Sequence, residues 1–290
     1  MSARATIDEI LTSHHSGRAV MMGILNITPD SFSDGGEFFD PPAARARALR
    51  MLEEGADVID IGAESTRPGS AGVGPGDQIH RLRDVLPAVA ETGAPVSIDT
   101  TSAEVAAFAL EAGAAIINDV SAGRDDPRIL SLAAERKSQL VLMHMLGRPR
   151  TMQDNPHYDD VVAEVREFLA GRIEAAEEAG VERGRIIVDP GIGFGKRLEH
   201  NLALLAGGVG AMLELGRPVL VGPSRKRFIG ELTGPEGASR RLGGTLAACL
   251  VARRRGASIF RVHDVGPVVE ALKVFDAIEG SPAVGGHTAD

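Results

Sequence analysis

The amino-acid sequence predicts an α/β fold built as a single (β/α)8 TIM barrel with a short N-terminal extension. Eight short β-branched or apolar runs alternate with longer amphipathic segments, the pattern of parallel strands joined by crossover helices. No break in composition divides these units, which argues for one barrel rather than two domains. The 290 residues sit slightly above the roughly 250 typical of that architecture. A doubly wound open sheet satisfies the same alternation, and pattern alone leaves it open.

Taken in order, strands are expected at residues 19–24, 58–61, 96–98, 115–117, 140–143, 186–188, 219–221 and 259–262. Helices are expected between them at 42–54, 77–91, 102–112, 127–137, 157–179, 200–215 and 240–255, with an eighth at 265–279 after the last strand. Gly55, Gly113, Gly180 and Gly216 stand where helices should close, and Pro42 and Pro127 where they should start. Ala-rich segments such as VAAFALEAGAA imply tight packing rather than linkers. The expected organisation is therefore an N-terminal extension over 1–18, a barrel over 19–280 and a disordered tail, SPAVGGHTAD, over 281–290.

Composition excludes several functions. At 43% hydrophobic and 24% charged residues the chain reads as a soluble globular protein. The lone Cys249, within TLAACLVA, rules out an internal disulfide, fits a reducing compartment and reads as an inert core thiol. Acidic residues outnumber basic ones 40 to 31, which disfavours nucleic acid as a partner. The triplet Arg253-Arg254-Arg255 reads as the solvated, dipole-complementing end of a helix. With no 18-residue apolar span and no signal-peptide core at the N-terminus, the expectation is a cytoplasmic protein without membrane contact.

In such a barrel the C-terminal strand ends face the active site. Those ends carry Asn26, then Glu64-Ser65-Thr66-Arg67, Asp99, Asn118, His144, Asp189, Ser224-Arg225-Lys226, and Arg261 with His263. One polar residue after a strand means little, because turns and caps use the same types. Eight on one face make a site. Asp99 and Asp189 follow apolar runs, so each must be paired, hydrogen-bonded or protonated. With Asn118 they suit a planar heterocycle with amide-like edges; helix capping is the plainer reading of Asp99.

Arg261 and His263, two apart on a strand, point to one side and read as an anion clamp for phosphate or pyrophosphate. A salt bridge on the barrel rim is the alternative. SRKR over 224–227 adds further donors. DPGIGFGK over 189–196 fails the spacing of a phosphate loop, and its glycines instead permit an unusual path with Phe194 as a pocket wall or a core residue. ESTRPGSAGVGPG over 64–76 is too rich in glycine and proline for a regular element and should order on binding. Cysteine and histidine offer no structural zinc site; Mg2+ on oxygen ligands and substrate phosphates fits better.

Together GILNITPDSFSDGG, DIGAESTRPG, SIDT, IINDVS, LMHM with TMQDNPHYDDVVAEV, DPGIGFGK, GPSRKRF and RVHDV resemble the dihydropteroate synthase family, in that family's order over about residues 19–280. The resemblance implies a dimeric TIM barrel that joins 6-hydroxymethyl-7,8-dihydropterin pyrophosphate to p-aminobenzoate in folate synthesis, releasing pyrophosphate. Carried over, it makes Asn26 the Mg2+ ligand. Thr66, Asp99, Asn118, Asp189 and Lys226 become pterin-binding residues, and Arg261 and His263 hold the pyrophosphate with Asn26. Phe32, Thr66, Arg67, Pro68, Phe194 and Ser224 are implied for the p-aminobenzoate pocket, where sulfonamides compete. Asp99, Lys226, Arg67 and Asp34 are the implied catalytic set. Arg227 stands where some members carry a serine near the p-aminobenzoate carboxylate, and LGRPRT over 146–151 departs from the family's usual loop. The rival readings are a pterin-dependent methyltransferase and a non-catalytic paralogue.

Overall fold

Eight parallel strands wrap into a barrel because each carries one apolar face toward a helix and another toward the axis. The computed structural model describes residues 18–27, 40–65, 70, 72–234, 237 and 240–280. Strands β1 (Val20–Asn26), β2 (Val58–Gly62), β3 (Val96–Asp99), β4 (Ile116–Asp119), β5 (Gln139–Met143), β6 (Ile186–Asp189), β7 (Leu220–Val221) and β8 (Ile259–Val262) pair in the order β6-β5-β4-β3-β2-β1-β8-β7. A parallel bridge between Val188 and Val219 joins the two edges, so the sheet closes and the open-sheet alternative falls. The expected ends of the chain, 1–17 and 281–290, lie outside the described residues.

Side chains alternate across each strand. The outward set, including Ile59, Ile61, Val96, Ile98, Leu140, Leu142, Val188 and Phe260, joins the helices in the main core. The inward set begins with an apolar plug of Val20, Met22, Val58, Ile116, Val141, Ile187, Leu220 and Ile259. One step along the same faces the residues turn polar: Asp60, Ser97, Asp99, Asn118, Asp189 and Arg261, with all but Arg261 fully buried. The plug thus floors a polar chamber at the C-terminal end of the barrel.

Several element bounds differ from expectation for identifiable reasons. Strands β3 and β6 run one residue further than expected and β1 two, so Asp99, Asp189 and Asn26 are strand residues with aimed side chains, not loop residues. The expected helix over 77–91 is two, α2 (Pro75–Leu82) and α3 (Val85–Ala90), because Pro87 cannot donate to the preceding turn. Asp160 accepts hydrogen bonds from Val162 N and Ala163 N at 3.0 Å each, which starts α6 (Val161–Glu178) later than its apolar pattern does. The helix expected over 200–215 is interrupted by a wider turn at Leu204–Gly208. A further helix, Arg227–Thr233, follows the SRK turn and was not expected. Gly55, Gly113, Gly180 and Gly216 do close helices, each with φ between 67° and 105°.

Arg253 and Arg254 are not simply solvated. They pair with Asp276 and Glu279 on the last helix, at 2.8 and 2.6 Å. Cys249 is buried, and burial pushes its thiol up to about 12, which keeps it inert.

Candidate active site

The chamber is organised around one guanidinium. Arg261 on β8 lies 2.7 Å from Asp60 Oδ2 and 2.6 Å from Asp99 Oδ2, and Asn118 Nδ2 reaches both Asp60 oxygens at 3.4 Å. Register explains the meeting. Asp99 pairs with Asn118, so these two side chains share a level on the inner face, and Gly62, paired with Asp99 on the other side, continues that level. Gly62 lies beside both polar groups: a Cβ there would make ordinary contacts, 3.7 Å from Asp99 Oδ2 and 3.8 Å from Asn26 Oδ1. Asp99 Oδ1 is buried and accepts no hydrogen bond from the described residues.

Electrostatics in this cluster follow from burial. Desolvation raises Asp99, Arg261 pulls it back, and the Asp60, Asp119 and Glu64 charges raise it further. The net direction is upward. Burial opposes the charge of Arg261, yet Asp60 and Asp99 more than offset that, and its proton is held more tightly than in water.

Across the chamber, Asp189 accepts Gly191 N at 2.7 Å. Burial lifts its carboxyl to about 6, against the pull of that hydrogen bond and of Lys226, Lys196 and Arg261. Lys226 sits with its ammonium 3.8 Å from the centre of the Phe194 ring. Asn118, Val120, Met143, Asp189, Ile192, Phe194, Gly222, Lys226 and Arg261 line one pocket. Phe194 is therefore both wall and core, since it also packs with Val120, Met143, Met145 and Met152.

His263 is tied to the turn after β7. Its backbone N–H donates to Ser224 Oγ at 3.2 Å, and its Nδ1 lies 3.0 Å from the same oxygen. The backbone N–H already occupies an acceptor position of Ser224 Oγ, so the hydroxyl proton is best directed at Nδ1, and the neutral ring then carries its proton on Nε2. Burial, with Arg225 and Arg261 nearby, lowers its pKa to about 3, so the ring is neutral. Lys226 owes its aim to its neighbour. Arg225 holds a φ of 58°, locked by Thr245 Oγ1, Asp264 and Arg241. Arg227 points outward, 73% exposed, and pairs with Glu231 at 3.0 Å.

Of the residues expected from sequence, Asn26, Asp99, Asn118, Asp189, Phe194, Ser224, Lys226, Arg261 and His263 converge on the strand ends. Phe32, Asp34, Thr66, Arg67 and Pro68 lie outside the described residues. Asp60 was missed, although a lone aspartate inside the apolar strand VIDIG is a signal. Lys196 was missed too: it ends the glycine-rich run and bonds His144, whose pKa burial and the Lys196 charge lower to about 2. Among the described residues no group of three or more His, Cys, Asp or Glu could hold a metal. Asn26 offers one hard oxygen, 3.8 Å from where a Cβ on Gly62 would stand, and that suits Mg2+, which takes few protein ligands and draws the rest from substrate phosphates and water.

Residues 22–263 match the model of the pterin binding enzyme family. The chain is 46% identical over 262 residues to dihydropteroate synthase of Synechocystis sp., covering 90% of each sequence. It is similar to the structure of Xanthomonas albilineans dihydropteroate synthase with 4-aminobenzoic acid, with TM-score 0.85 and 50% identity over 91% of this chain and 94% of that one. The same organism's enzyme in complex with 7,8-dihydropteroate matches with TM-score 0.82 and 47% identity over 91% and 95%.

Proposed function

The chain belongs to the dihydropteroate synthase family of pterin-binding enzymes, and from that premise we propose how its own residues run the reaction. It is a transferase that joins 6-hydroxymethyl-7,8-dihydropterin pyrophosphate to p-aminobenzoate, giving 7,8-dihydropteroate and pyrophosphate for folate synthesis. The observation that carries the mechanistic reading is a pair of buried carboxylates with Asn118 between their strands: Asp189 and Asn118 line one pocket with Arg261, and Asp99 lies behind that guanidinium at 2.6 Å.

Asp189 and Asn118 take the amide-like edge of the pterin, the carboxylate accepting its N–H groups and the carboxamide matching a donor and an acceptor at once. Lys226 donates to the ring from above Phe194. Asp99 offers its unpartnered Oδ1 to the pterin and its charge to the cation that develops at the exocyclic carbon. The route is dissociative: the C–O bond to pyrophosphate breaks before the neutral arylamine attacks. Arg261, already between two carboxylates, exchanges one of them for the departing phosphate, and neutral His263 donates from Nε2. Asn26 would hold a Mg2+ ion, which when bound would supply charge neutralisation to the leaving group. Phe32, Thr66, Arg67, Pro68, Phe194 and Ser224 are assigned to the p-aminobenzoate pocket. Asp34 and Arg67 are assigned to loops that close and exclude water, which would otherwise capture the cation.

A cytoplasmic homodimer completes the reading. Supporting it, no described helix is long and apolar enough to cross a membrane. Val251, Val274 and Ile278 are also exposed on the last two helices, at 45%, 57% and 66%.

Pyrophosphate release by the purified protein with dihydropterin pyrophosphate and Mg2+, with and without p-aminobenzoate, tests the function. Stoichiometric dihydropteroate is expected. Bound pterin without release would turn the reading to a pterin-dependent methyltransferase or a silent paralogue.

A further inference from the structure

The loop after β6 is wound around a side chain to which the reaction assigns nothing. Lys196 is 3% exposed. Its Nζ lies 3.0 Å from the carbonyl oxygens of Gly191 and Phe194 and 2.9 Å from His144 Nδ1. Three acceptors match the three donors of an ammonium. The chain can curl this tightly because Gly191, Gly193 and Gly195 take φ of 69°, 83° and 59°. Uncharged groups hold the loop from outside: Gln153 Nε2 donates to Gly193 O at 2.9 Å, Tyr158 OH to Gly195 O at 2.8 Å, and Gly193 N to Asn201 Oδ1 at 2.6 Å. From within, Lys196 fastens it together with Asp189, which accepts Gly191 N, and the Phe194 N–H, which donates to Gly191 O at 3.1 Å.

The loop begins with Asp189 and carries Phe194, the two pocket groups that strand β6 alone would not place together. Lys196 also acts on Asp189 through charge. Its cation lowers the Asp189 carboxyl, and that carboxylate in turn supports a cation that burial lowers to about 7. The other charged or titratable groups facing this pair are Lys226 after β7, Arg261 on β8, and His144 after β5 with Arg124 behind it. Tyr158 and His200 close the outer side.

We propose that Lys196 is a positioning residue, whose ammonium shapes the 189–196 loop so that Asp189 and Phe194 face the pocket and sets a positive charge against the Asp189 carboxylate. The inference rests on the pterin site proposed above. Lys196→Gln keeps two donors but removes the charge, Lys196→Met removes both, and Tyr158→Phe removes an uncharged bond to the same loop. Rates would be measured against pH with each substrate varied, beside thermal melts. Both Lys196 variants should move the acid limb of kcat/KM up by about one pH unit, the size of effect a neighbouring opposite charge has. At low pH the KM for dihydropterin pyrophosphate should rise roughly tenfold, with kcat falling less. Tyr158→Phe should leave the limb in place. Folded Lys196 variants with an unmoved limb and unchanged KM overturn the proposal, as does failure of both to fold, which makes Lys196 a scaffold alone. A parent protein that forms no dihydropteroate refutes the functional reading instead.

Discussion

Replacing Asp99 by asparagine should separate catalysis from stability. In the parent, Oδ2 receives Arg261 at 2.6 Å and Oδ1 is left without a partner among the described residues. Asparagine will keep its oxygen on Arg261, because an amide –NH2 cannot face a guanidinium. The –NH2 then takes the Oδ1 position and presents donors to the donor edge of the pterin. One charge-assisted hydrogen bond of about 1.5–3 kcal/mol is lost and an unfavourable contact is gained. A total near 3–4 kcal/mol corresponds to a loss of kcat/KM of about 10²–10³-fold. Stability should hardly change, since Arg261 keeps Asp60 at 2.7 Å and one costly buried carboxylate is removed. We expect no fall in Tm beyond ~2 °C.

The sign of the pH dependence sharpens this. The native pKa of Asp99 is raised above the 3.8 of a free carboxyl, so its proton stabilises the fold at low pH. That contribution is lost as pH rises through the raised value. Asp99→Asn lacks the decline, and its Tm relative to the parent should improve between about pH 4 and about pH 8. Pyrophosphate release and thermal melts on the same preparations decide the matter. A turnover within about tenfold of the parent, or a fall in Tm that tracks the lost activity, would refute the reasoning.

Three further outcomes follow from the same geometry. Gly191→Ala would place its Cβ 1.9 Å from the His144 carbonyl oxygen at a φ of 69°, and a backbone atom cannot retreat cheaply; a loss above about 3 kcal/mol should appear in denaturant melts. Ser224→Ala removes the oxygen that fixes both the backbone and ring of His263; stability should fall by about 1 kcal/mol, and KM for dihydropterin pyrophosphate should rise about fivefold. In the parent, kcat/KM should fall on the acid side as the raised carboxyl of Asp99 takes up its proton, and more steeply than tenfold per pH unit below about 6, where Asp189 follows. A flat acid limb would remove Asp189 from pterin binding.

How much of this could be read along the chain differs by residue. Asn118 and Asp189 were legible because each ends an apolar run, and period-two alternation then fixes which face they share. The proline break at 87 was legible in principle, since its missing N–H acts locally, yet the strong apolar pattern around it concealed it. Asp60 was harder, for it sits mid-strand where side chains are usually packed in a core. Lys196 was harder still. Its sequence neighbours suggest a surface turn, and nothing in DPGIGFGK says that three carbonyl or imidazole acceptors will close around it.

Local chemistry thus fixed the barrel, the strand ends and the residue types at the site: β-branched runs extend, glycines close helices, and polar residues after strands collect on one face. Tertiary structure decided who neutralises whom. Arg261 lies 201 residues from Asp60 and 162 from Asp99 in sequence, and they meet only because closure sets the register across β8, β1, β2 and β3. A buried charge must find a partner before it can be buried at all, and that partner is chosen by the curvature of the sheet.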